Sequence, residues 1–337
     1  MKKFILIITI VIIVLVAYLV LPKTYSQTRS MMGSYVRIDI CSNWPAAKIN
    51  QIYSEIWKGI NERVQRFDKY SANSEISIIN RSFPDPVKIS DDLYELLNTS
   101  VQFSQLTQGG FDITVEPLIG IWKKAEEKNI LPSADDISIA VAAIGSNALN
   151  LMGNDMVRLR NPIVKLDVGG IAKGYIVDWV VSDLHEHGLK NFLVDASGNM
   201  YASGINSSYK PWTIGIEDPH SNMAALAVIR LSDEAISTSG DEHRYYNING
   251  KHYSHIINPH TGQPVLNMSS VTVLAPTAGA ADALSTGLSV LGVADGLALI
   301  ESLGPGYACF ILTMNGTDRQ TFFSSHYKDF NQKGERL

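Results

Sequence analysis

Between Ala46 and Phe67 the apolar residues Ile49, Ile52, Ile56, Ile60, Val64 and Phe67 recur at steps of three and four, which predicts an amphipathic helix over 46–67. A second helix is predicted after Ser90 as its cap, with Leu93, Leu96, Leu97, Val101 and Leu106 as its buried stripe and Gly109-Gly110 as its stop. "VRLRNPIVKLDV", from Val157, reads as two short strands around an Asn161-Pro162 turn. It runs into "KLDVGGIAKGYIVD", Lys165 to Asp178, a glycine-rich turn followed by a helix to about Gly188. Farther on, "NFLVDA", "WTIGIE", "ALAVIRL", "SVTVLA" and "YACFILTM" are apolar or alternating runs separated by Gly, Pro, Asn and Ser, the mark of strands. Clustered strands interrupted by a few helices predict an α+β domain with a mixed or antiparallel sheet, without a regular βαβ alternation and without an internal linker.

Residues 1–26 depart from this pattern. Lys2 and Lys3 precede an uncharged apolar run from Phe4 to Leu21, on the border between a signal peptide and a spanning helix. The run is long for a signal core and no A-x-A site follows, so a retained transmembrane anchor is expected, with cleavage after Ser26 as the alternative. The domain of residues 27–337 then lies on the extracytoplasmic side of the cytoplasmic membrane. No cysteine directly follows the run, which excludes a lipid-modified cysteine anchor. The 337 residues are 45% hydrophobic, enough for a real core, and the net charge of −5 without a basic run argues against nucleic acid as a partner. Cys41 and Cys309 cannot make a disulfide framework; they are expected to be buried and inert, with pairing left open.

Glycine-rich strand-to-helix turns often approach phosphate, because glycine frees the backbone and the helix start offers N–H donors. The turn at Lys165–Asp178 fits neither the Walker pattern nor the dinucleotide fingerprint, so on its own a simple packing turn is as good a reading. "ADALSTGL" places Asp282 and Thr286 four apart, on one helix face with Ser285 beside them, where oxygen ligands suit Mg²⁺ or Ca²⁺ better than Zn²⁺. A solvated face or a cap is the commoner role of such a pair. Four of the eight histidines lie between His243 and His260, but the Asn249-Gly250 turn signal pairs Arg244–Ile248 with Lys251–His255 and sends His252 and His255 to opposite faces, against a zinc site. Arg244 then falls opposite His255, where a guanidinium would favour neutral imidazole, a useful state for a base, although on a surface sheet the pair reads equally well as ordinary cross-strand decoration. "TQGGFDITVEP" holds Phe111 and Asp112 in a turn after a helix, and "STSGDE" lacks the G-x-S-x-G elbow of a hydrolase.

In this order, "MMGSYVRI", "YSANSEISIIN", "GGFDITVEPL", "LDVGGIAKGY", "ISTSGDEHRYY", "GKHYSHIINPHTGQP" and "ADALSTGLSVLG" resemble the successive blocks of the ApbE family over nearly all the chain beyond the anchor. The resemblance implies an FAD:protein FMN transferase: FAD is the bound substrate, Mg²⁺ the cofactor at its pyrophosphate, and the FMN half passes to a Thr or Ser of a target protein with release of AMP. By motif position it implies FAD contacts at Met32, Tyr70, Gly110, Phe111, Asp112, Asp167, Lys173 and Ile256. The metal would be held by the Gly170 carbonyl, Asp282 and Thr286, and His255 would be the catalytic group. The implied targets are flavinylated membrane or extracytoplasmic electron-transfer subunits. A Mg²⁺-dependent FAD pyrophosphatase and a non-catalytic flavin binder are the alternatives. Two positions depart from the family's pattern: Ser197 replaces its usual glycine and Gly287 its usual alanine.

Overall fold

The computed structural model describes residues 21–218, 225–240, 245–316 and 318–327; the apolar run up to residue 20 and Arg244 lie outside them. In chain order the first half comprises β1 (Lys23–Met31), β2 (Ser34–Ser42), α1 (Ala46–Phe67), α2 (Glu75–Ile79), β3 (Val87–Lys88), α3 (Asp91–Leu106), α4 (Glu116–Lys128), α5 (Ala134–Ala143), β4 (Leu149–Leu151) and β5 (Met156–Leu159). Then come α6 (Ala172–Glu186), β6 (Phe192–Ala196), β7 (Asn199–Ser203), β8 (Trp212–Glu217), β9 (Ala225–Leu231), β10 (Glu234–Gly240), β11 (Tyr245–Ile248), β12 (Lys251–Ser254), β13 (Met268–Ala275), α7 (Ala278–Leu303), β14 (Ala308–Asn315) and β15 (Asp318–Phe323).

Eight strands form the central sheet in the order β1-β2-β6-β7-β10-β13-β14-β15, and each of its ladders is antiparallel. Parallel pairing among the described residues is confined to an isolated bridge between Val115 and Lys165. The alternation along the strands sorts side chains to two faces. Val271, Val273, Cys309 and Ile311 join α1, α6 and α7 in the main core, while Leu274, Phe310 and Leu312 pack on the other side under the β8–β9 hairpin. Cys41 belongs to that second face and Cys309 to the first, so the two free, buried thiols sit on opposite sides of the sheet and do not pair. A satellite cluster joins Leu118 and Trp122 of α4 to Tyr246 and Ile248 of the β11–β12 hairpin, whose Asn249-Gly250 turn has φ of 53° and 73°.

Three expectations are corrected. The second half of "VRLRNPIVKLDV" is no strand: Val164, Leu166 and Val168 alternate inward, but the Asn80 side chain takes both backbone bonds of Leu166, so no ladder forms. Leu106 is 36% exposed, being at the last residue of α3 and past the core. Ser90 occupies the cap position, yet its hydroxyl donates to Glu75 Oε2 instead of closing the helix. Of the described helices α7 alone is long and apolar enough to cross a membrane, but its first half is core.

Candidate active site

One cavity of about 750 Å³ opens where the helix starts meet the ends of the strands. Gly110, Phe111 and Asp112, which follow α3, form part of its wall, and Asp167, Gly170 and Lys173 of the glycine-rich turn form another. Asp282 and Thr286 enter from α7, Thr238 to Gly240 from the end of β10, and His255 and Ile256 from just past β12. Ten of the twelve residues singled out from the sequence therefore share one cavity; Met32 and Tyr70 lie outside its lining. Met32 (φ 55°) and Gly33 (φ 70°) make the tight turn that leads β2 to Tyr35 on the cavity wall. Tyr70 is 79% exposed, its ring 5.2 Å from the Lys69 ammonium.

Asp282 is buried, and its Oδ2 accepts the Gly174 N–H at 3.0 Å. Burial pushes its carboxyl above the usual range, against the opposing pull of Lys173 and that N–H. Gly170 lies close to Thr286: a Cβ on Gly170 would stand 3.3 Å from the Thr286 hydroxyl oxygen. Thr286 Oγ1 is 3.3 Å from Ser239 Oγ, which is 2.7 Å from Ser285 Oγ, and Ser285 donates to the Asp282 carbonyl. One carboxylate, one hydroxyl and a close backbone thus form an all-oxygen cluster. Among the described residues no three His, Cys, Asp or Glu side chains gather to hold a metal.

The opposite walls are also polar. Asp167 accepts Gly169 N–H at 2.7 Å and Lys69 Nζ at 2.7 Å, and the same ammonium pairs with Glu116. Burial disfavours the Lys69 charge, but the carboxylates of Asp167 and Glu116 outweigh it and raise its pKa above the ordinary value. Asp112 is raised by burial, although the N–H and O–H of Thr114 both donate to its Oδ1. Tyr35 donates to Asp195 at 3.0 Å, and burial, then that carboxylate, push its phenol up to about 12. Ser197 holds φ of 54°, a conformation natural to the glycine the family usually shows, and its hydroxyl accepts from Ser34 at 2.6 Å. At Gly287 a Cβ would stand 2.7 Å from Thr107 Cγ2, which explains why alanine does not occupy this position here.

His255 follows the last residue of β12 and is half-buried on the cavity wall; its expected partner across the hairpin, Arg244, is outside the described residues. Sequence reasoning missed Lys69, Tyr35, Asp195 and Ser239. Lys69 adjoins Tyr70 and Ser239 sits in "STSG", but only the fold brings their partners to them.

The fold and site define a class. Residues 32–311 match the model of the ApbE family, and the chain belongs to that family. Its relatives include the FAD:protein FMN transferase of Vibrio cholerae, 31% identical over 90% of this chain and 91% of the relative. The Haemophilus influenzae FAD:protein FMN transferase is 34% identical over 80% of each chain. Among solved structures, the flavin transferase ApbE from Vibrio cholerae superposes with a TM-score of 0.81 at 28% identity, covering 92% of this chain and 99% of that one.

Proposed function

We propose that this chain is an FAD:protein FMN transferase, acting on a Thr or Ser hydroxyl of a target protein and releasing AMP. The observation that carries the proposal is the meeting, in one cavity of an ApbE-family chain, of the glycine-rich turn, the buried Asp282 with the half-buried Thr286 one turn on, and His255.

FAD is held by Gly110, Phe111, Asp112, Asp167, Lys173 and Ile256, with Met32 and Tyr70 reaching it from outside the cavity lining. The oxygen cluster fits Mg²⁺, a hard cation that takes one or two carboxylates and leaves its other positions to water and substrate phosphate. Asp282, Thr286 and the Gly170 carbonyl would hold it. Bound there, the ion would offset charge on the pyrophosphate oxygens. His255 takes the proton of the target hydroxyl as its oxygen bonds the FMN phosphorus and the bond to the AMP oxygen breaks. Lys173 lies on the same wall, where its ammonium can receive phosphate charge. The N-terminal run is proposed as an uncleaved anchor in the cytoplasmic membrane, with the domain and its electron-transfer target outside. In support, β1 begins at Lys23, so cleavage after Ser26 would cut the edge strand.

Incubating the full chain with FAD, Mg²⁺ and an FMN-acceptor domain tests the proposal. Flavin fluorescence on the denatured acceptor together with AMP, lost with EDTA or in His255→Ala, is the expected result. Free FMN and AMP beside a dark acceptor would make the chain a pyrophosphatase, and unchanged FAD a flavin binder.

A further inference from the structure

The helices α6 and α7 start side by side, and each start is closed by a carboxylate of the other. A helix start leaves N–H groups without intrahelical partners. Asp178 on α6 accepts both Ala278 N–H and Gly279 N–H, the first two of α7, at 2.7 Å each. Asp282 on α7 accepts Gly174 N–H, the third residue of α6, at 3.0 Å. The arrangement is reciprocal in sequence as well: Asp178 stands four residues after Gly174, and Asp282 four after Ala278. Glycines set how near the helices come. A Cβ on Gly174 would stand 2.3 Å from the Ala278 carbonyl oxygen, and one on Gly279 3.0 Å from Asp178 Oδ2.

We infer that Asp178 is a positioning residue for the proposed metal site: by gripping the start of α7 it aims Asp282 and Thr286 at the glycine-rich turn. The clasp takes Asp282 Oδ2 for Gly174 and leaves Oδ1 as the oxygen for a cation. Thr286, one turn farther along α7, is brought beside Gly170, which lies just before α6. Without Asp178 the two halves of the cluster, one on each helix, lose their shared reference, and the cation has to order them. This inference rests on the metal reading above.

The test is Mn²⁺ binding, followed by electron paramagnetic resonance, to the full chain in detergent without FAD, at a temperature where circular dichroism shows each variant folded. Asp178→Asn removes one acceptor, and Asp178→Glu keeps the charge but not the paired 2.7 Å geometry. Both are expected to weaken Mn²⁺ about tenfold, as loss of a group orienting a ligand typically does. Thr277→Ala removes the other cap of α7, an acceptor for Ala280 N–H that does not reach α6, and should lower Tm while leaving Mn²⁺ affinity unchanged. Wild-type affinity in both Asp178 variants, or equal weakening in Thr277→Ala, would overturn the inference alone. Undiminished binding by Asp282→Ala would remove the metal reading and the inference with it. If the Asp178 variants do not fold, amide exchange in the wild type decides: added Mg²⁺ should protect Gly174, Ala278 and Gly279, and unchanged exchange there refutes the clasp.

Discussion

Lys69 is the side chain on which the charge balance of one cavity wall depends. Its ammonium serves Asp167 and Glu116 together, and it is only 13% exposed. Removing one member of a buried pair is far worse than never having built it, because the remaining charge stays buried. Lys69→Met should therefore lower stability by about 3 kcal/mol at neutral pH, measured by urea unfolding, and adding Glu116→Gln should recover part of the loss; a single variant as stable as wild type would refute this. Ser239→Ala takes from Thr286 and Ser285 their shared hydroxyl neighbour and is expected to raise the Mg²⁺ concentration for half-maximal FMN transfer severalfold while kcat at saturating Mg²⁺ holds. An unchanged Mg²⁺ dependence would show that Ser239 is packing only. These residues differ in legibility for a simple reason. Asp282 and Thr286 are joined by the period of one helix and can be read from the chain, whereas Lys69 meets Asp167 across 98 residues and Ser239 meets Ser285 across 46. His255 was legible mainly through the blocks around it, since the one local mark of a base, Arg244 expected to face it across the hairpin, is a pairing that a surface sheet also makes without any chemistry.

Between elements, the contact of α6 with α7 positions the chemistry. Gly174→Ala drives a Cβ into a backbone carbonyl that cannot rotate away, so the small gain of alanine in a helix is outweighed and about 2 kcal/mol of stability should be lost. A thermal melt equal to wild type would mean that the helices separate freely. Asp178 adds a pH signature. Burial raises its carboxyl from 3.8 to about 6, against the two N–H bonds it accepts. Between those values the folded chain keeps a proton the unfolded chain has released, so this group's contribution to stability falls as pH rises through the window and is level above it, by up to about 3 kcal/mol. In EDTA, the wild type minus Asp178→Asn difference in unfolding free energy should fall from pH 4 to 6; a flat difference would contradict the raised pKa. Helix period made α1 readable, and short apolar runs marked β6, β8, β9, β13 and β14. The run at 163–168 misled because alternation reports which way side chains face, while strand pairing depends on a backbone partner, here replaced by the Asn80 amide.

At the scale of the molecule, the eight-stranded sheet divides the chain into a helical side and a hairpin side, and the thiols follow that division. The proposed export places the domain in a compartment where cysteines commonly oxidise. Here they are protected by position. Cys41 lies under the β8–β9 hairpin, Cys309 under the helices, and the sheet itself stands between them. Burial also raises both thiols, Cys309 to about 12, so that thiolate, the reactive form, is scarce at neutral pH. A disulfide is also forbidden by distance: β2 and β14 stand five places apart in the sheet, about 24 Å at the usual strand spacing, where a disulfide needs Cα atoms within about 7 Å. The folded chain is therefore expected to take up no maleimide over an hour at pH 7 and to take up two equivalents once unfolded in urea. Its Tm should be the same with and without dithiothreitol. Rapid labelling of the native chain, or a Tm lowered by reductant, would show that the sheet does not separate the thiols in solution.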